Sequence, residues 1–129
     1  AELMGHLRTA VSSAPRGSLS FANFVEFDSV YGHRRDIAGY ARALEWFDGE
    51  LPTLLDGLHP CDLMLFTADH GNDPTWRGTE HTRERVPVIG LVAGGTAPRS
   101  AGPVAFVDVA ASVACHLGVP ARGPGRAFL

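Results

Sequence analysis

The chain has 129 residues, 45% of them hydrophobic, with a formal net charge of −3 at pH 7 and a pI near 6.0. That size suits one domain or part of one, with enough apolar material for a core. All eleven cationic residues are Arg, no basic face for nucleic acid stands out, and no apolar run reaches the roughly 18 residues of a membrane span.

No signal-peptide pattern opens the chain. Cys61 and Cys115 stand alone, without metal or redox spacing. They are expected to be buried, reduced thiols of a cytoplasmic protein. The chain begins at Ala1, without an initiator Met and already inside a helical pattern. A piece of a longer protein is expected, with residues 1–129 forming a single partial domain.

Leu3, Met4, Leu7 and Val11 fall at helical spacing, which predicts a helix from Glu2 to about Val11. Ser12–Ser18, with Pro15 and Gly17, reads as a loop. Leu19–Phe27 is a strand candidate closed by Asp28. Asp36 is a candidate N-cap for a helix whose apolar face carries Ile37, Tyr40, Leu44, Phe47 and Leu51. That aromatic stripe reads as core packing. Pro52 should kink or restart the helix.

Leu63–Thr67 is a short apolar run, as in a strand buried on both faces. With the preceding strand and helix it predicts a right-handed βαβ unit. Asp69–Arg85 is a long polar loop, and such loops in compact domains are usually functional. Val86–Val92 predicts a third strand. Gly94–Pro103 reads as a loop, and Phe106–Leu117 as a last helix capped by Gly118. The expected fold class is α/β, an incomplete parallel-sheet core of three strands with flanking helices. Three parallel strands need neighbours, and these are expected upstream.

In an open parallel sheet, ligands gather beyond the carboxyl ends of the strands. Asp28 stands at one such end, and Asp69 and His70 at the next. His33 and His81 lie on the loops that follow. Three imidazoles and two carboxylates suit Mn²⁺ or Zn²⁺ better than Mg²⁺ alone. Two ions about 4 Å apart form a clamp for phosphoryl transfer. His6, His59 and His116 have no partners in the pattern and are assigned no role.

The stretches FANFVEFDSVYGHRRDIAGYARALEWFD and FTADHGNDPTWRGTEHTRERVP, with the closing GRAFL, resemble phosphopentomutases of the alkaline phosphatase superfamily. The likeness runs from about Leu19 to Leu129. Asp-His-Gly is shared by phosphoglycerate mutases and phosphatases, whereas DPTW followed by HTRE and VP points to phosphopentomutases. The resemblance implies a two-manganese isomerase that moves phosphate between C1 and C5 of ribose or deoxyribose in nucleotide salvage. Asp28, His33 and His81 would hold one ion, and Asp69 and His70 the other. Glu80 stands where Asp is expected and Arg77 where Pro is expected. The implied threonine nucleophile, a further Asp ligand and the sugar-phosphate cap domain are expected upstream, so this chain alone is expected to be inactive. Another phosphatase or mutase of that superfamily, or a non-catalytic metal-binding remnant, are the alternatives.

Overall fold

The computed structural model describes residues 2–95 and 98–129. Five regular elements and one π-helical turn follow in order: helix α1 (Glu2–Ser13), the π turn (Phe27–Gly32), helix α2 (Ile37–Asp56), strand β1 (Leu63–Thr67), strand β2 (Val88–Val92) and helix α3 (Phe106–His116).

The α/β class holds, but the sheet is not parallel. β1 and β2 form a two-stranded antiparallel pair, with Leu63 opposite Val92 and Thr67 opposite Val88. A parallel pair needs a crossover, usually a helix. Residues 68–87 hold no helix and bring the chain straight back beside β1. The ladder runs on past the strands, where Cys61 N–H donates to Ala93 C=O at 3.0 Å and Ala93 N–H to Asp62 C=O at 2.9 Å.

The expected strand over Leu19–Phe27 does not form. A strand needs a partner for its ladder, and none of the described residues pairs with this segment. Leu19 and Phe21 stand open to solvent, and the described residues form no βαβ unit. Phe24 and Phe27 pack instead on α2. Phe47 meets Phe24, Phe27, Trp46 and β1's Phe66 with ring centroids 5.2–6.5 Å apart, mostly edge-on. That is the favoured geometry of aromatic pairs.

Helix α2 starts as the sequence suggests, with the Asp36 carboxylate accepting from Gly39 N–H at 2.8 Å. It runs unbroken through Pro52. Pro52 is exposed, so its missing donor costs one bond on the solvent side, while Leu54 beside it is buried and anchors the last turn. Ile37 and Leu44, expected on the inner face, are exposed. Met4 of α1 and Leu54 of α2 are the most deeply buried side chains of this end. Both cysteines are free but exposed, not buried.

Helix α3 closes in a Schellman motif. Val119 N–H reaches Ala114 C=O and Gly118 N–H reaches Cys115 C=O, with Gly118 at φ 67°. No helix among the described residues is long and apolar enough to cross a membrane.

Candidate metal centre

The first two candidate side chains come from the π turn and its end. His33 N–H donates to Asp28 C=O at 2.9 Å, an i→i+5 bond that winds the chain one residue wider than an α-turn. The wider turn sets the Asp28 and His33 side chains together, with His33 Nε2 3.4 Å from Asp28 Oδ2.

The third comes from the loop after β1. That loop is ordered by its own closure. Gly71 and Thr82 form an antiparallel bridge, and the Thr82 hydroxyl accepts from Asp73 N–H at 2.7 Å while donating to Glu84. The closure returns His81 to the π turn. His81 Nε2 lies 3.3 Å from Asp28 Oδ1 and 3.1 Å from His33 Nε2. One ligand atom each from Asp28, His33 and His81 fall within 4.8 Å of one another.

The donor set fits a divalent ion. Metal–nitrogen and metal–oxygen bonds of about 2.0–2.2 Å place neighbouring ligand atoms roughly 3.0–3.5 Å apart. The His33–His81 nitrogen separation of 3.1 Å and the 3.3 Å from His81 Nε2 to Asp28 Oδ1 fall in that range, while His33 Nε2 meets the other carboxylate oxygen, Oδ2, at 3.4 Å. Tautomer fits as well. His33 Nδ1 faces the Thr79 carbonyl, which can only accept, so Nδ1 carries the proton and Nε2 keeps its lone pair. Asp28 and His33 are half-buried and His81 is exposed.

Asp28 is held ionised. Burial pushes its carboxyl up, but the Asn72 amide and the nearby imidazoles of His33, His81 and His70 outweigh that, so it titrates below the usual carboxylate range. Asn72 Nδ2 donates to Asp28 Oδ1 at 2.6 Å.

Asp69 and His70 stand beside this cluster without joining it. The His70 ring stacks on His81 with centroids 3.7 Å apart. His70 Nδ1 lies 3.3 Å from the Gly71 carbonyl, which leaves Nε2 free to bind. The Asp69 side chain is 83% exposed, 3.6 Å from His70 Nε2. The structure therefore places all five candidate residues at one end of the molecule, where β1 ends and β2 begins. It brings three of them into contact distance of a common point. Of the loop threonines, Thr75 and Thr82 spend their hydroxyls on Asp73 and Glu84.

Two residues of this end carry no signal as ligands in the sequence. Asn72 is buried and bridges Arg35 to Asp28, and Arg35 donates to it at 2.6 Å. A polar side chain three positions past Asp69 in a ligand-rich loop is the only hint of the first. Arg35, next to Arg34, reads as ordinary charged surface.

Imidazoles and a carboxylate in this geometry could hold a metal ion, and a family profile described as the metalloenzyme superfamily matches residues 1–121. The chain belongs to the metalloenzyme superfamily. Among individual relatives, a phosphopentomutase of Rhizobium johnstonii is 54% identical over 98% of this chain and 31% of its own length. A phosphopentomutase of Agrobacterium fabrum is 49% identical over 100% of this chain and 32% of its own. One of Methylorubrum extorquens is 53% identical over 92% and 29%. The chain thus spans about a third of the length of the curated relatives it matches.

Proposed function

We propose that the protein carrying this chain is a phosphopentomutase, interconverting ribose or deoxyribose 1-phosphate and 5-phosphate, and that residues 1–129 supply ion-holding residues of its metalloenzyme core. One observation carries the reading: Asp28, His33 and His81 converge within a chain that is 49–54% identical to phosphopentomutases.

In this reading Asp28 Oδ, His33 Nε2 and His81 Nε2 hold one divalent ion. Asp69 and His70 hold a second, supported by the stacking of His70 on His81. Mn²⁺ suits the mixed nitrogen and oxygen donors, with Zn²⁺ the other candidate. Bound ions would neutralise phosphate oxygens and favour the attacking oxygen. The chain's own part is to present unprotonated imidazole nitrogens and an ionised carboxylate at fixed spacing. His33 does so through its Nδ1–H bond to the Thr79 carbonyl, and Asp28 through Asn72. A pentose phosphate is the proposed substrate, and the cytoplasm the proposed compartment.

The test is conversion of ribose 1-phosphate to ribose 5-phosphate by the protein carrying this chain, with and without Mn²⁺. Metal-dependent isomerisation is expected. Release of inorganic phosphate without isomerisation contradicts the reading. The 129-residue chain assayed alone is expected to give little or no turnover, because the ion-binding residues without an identified nucleophile do not complete a transfer site.

A further inference from the structure

We propose that Arg35 is a positioning residue for the ion site, acting as a guanidinium clamp that fixes all three of Asp28, His33 and His81. The inference rests on the reading of those three as ligands and adds a residue to it.

Arg35 occupies the left-handed region at φ 55°, which disfavours any residue with a Cβ. Such strain persists where the surroundings over-determine it. The surroundings here are five acceptors. Nη1 shares its two hydrogens among Gly32 C=O at 3.1 Å, Asn72 Oδ1 at 2.6 Å and Asp73 C=O at 2.9 Å. Nε donates to Gly78 C=O and Nη2 to Glu80 C=O. The guanidinium joins the end of the π turn to both arms of the loop.

Each ligand depends on one of these bonds. Arg35 holds the Asn72 oxygen, which turns the amide's NH₂ toward Asp28. It holds the carbonyls of Gly78 and Glu80, on either side of the Thr79 carbonyl that receives His33 Nδ1. The Glu80 carbonyl belongs to the peptide that leads directly into His81. The tautomer of His33, the orientation of Asp28 and the return of His81 are therefore set together by one side chain.

Arg35 makes no ion pair among the described residues. Its donors go to four carbonyls and one amide instead. That use needs a planar fork rather than a charge alone, so lysine, a point donor, cannot reproduce it. Gly32 fits the same plan. A Cβ there would sit 2.5 Å from Asn72 Nδ2, so only glycine lets the amide lie against the turn.

The test is titration of the metal-free protein carrying this chain with Mn²⁺ and Zn²⁺ by calorimetry, for wild type, Arg35→Gln and Arg35→Lys. Melting in EDTA and in saturating metal is followed in parallel. Loss of an outer partner of a metal ligand weakens metal affinity by about 10–100-fold. Both variants are expected to bind at least tenfold more weakly, with a smaller metal-induced rise in Tm. Lysine, which keeps the charge and favours a folded variant, should not rescue. A variant with lowered Tm in EDTA but wild-type metal affinity overturns the positioning role, as does Arg35→Lys binding like wild type. Wild-type protein that binds neither ion overturns the ligand assignment itself, and the clamp with it.

Discussion

Two polar networks of the molecule use the same device with opposite charge. Beside the proposed ion site, the Arg35 guanidinium collects backbone carbonyls of the π turn and the 72–80 loop. Around α3, the Asp108 carboxylate collects backbone N–H groups, from Ala105 and Arg126, each at 2.8 Å. Ser112, 1% exposed, completes that clasp by donating to Asp108 C=O and accepting from Phe128 N–H. The outcomes differ. The clasp pairs its polar groups with one another and docks the chain's tail. The clamp leaves Asp28 Oδ, His33 Nε2 and His81 Nε2 facing one another with lone pairs to spare. A polar network can hold an ion when side-chain oxygen and nitrogen atoms are left facing one another.

That contrast can be broken in a definite order. His81→Ala should have the largest effect. A bound ion supplies several kcal/mol of transition-state stabilisation, so loss of a ligand should lower isomerase activity by at least about 100-fold. Activity close to wild type in a steady-state assay would show that His81 is no ligand. The Arg35 variants come next, with the weaker ion binding described above.

Ser112→Ala tests the other network. Removing a buried hydroxyl that makes two hydrogen bonds should cost about 1 kcal/mol in denaturant unfolding. Ion affinity should stay within about twofold, because Ser112 shares no hydrogen-bond partner with Asp28, His33 or His81. A large drop in affinity would mean that the two networks are coupled.

A smaller effect concerns pH. The N–H groups of Arg126 and Ala105 hold the Asp108 carboxyl below its ordinary value of 3.8. A depressed folded-state pKa contributes stability that is fully present above pH 3.8 and lost as pH falls through the lower folded value. Asp108→Asn should therefore flatten the acid limb of the stability curve without changing ion affinity at neutral pH. An unchanged acid limb would show that the carboxylate is not what holds the tail.

His59→Ala should do least. His59 is over half exposed, and its ring lies 3.4 Å from Asp62 at a turn. Its replacement should stay within about 0.5 kcal/mol in thermal unfolding and leave activity unchanged.

What the sequence reveals follows from how local each signal is. The spacing from Tyr40 to Leu54 and the Asp36 cap define α2, and Gly118 marks the end of α3, because those signals lie within one element. Leu19–Phe27 is misleading for the opposite reason. An apolar run does not say whether a ladder partner exists, and here its rings pack on a helix. The Asp28–His33 turn is hidden because six residues show no periodicity that separates a π turn from a loop. Arg35 is invisible for a further reason. Four of its five acceptors are backbone oxygens, three of them 38–45 positions away, and backbone oxygens leave no mark in a sequence. The direction of β2 likewise depends on the path of the intervening loop, which closes through Gly71 and Thr82.

Crystals of the protein carrying this chain, grown with Mn²⁺ and measured at the manganese absorption edge, give the most direct answer. The account predicts an anomalous peak bonded to Asp28 and to Nε2 of both His33 and His81, with the Arg35 fork intact behind it. A fully occupied manganese peak elsewhere, with those three side chains bound only to water, would contradict it.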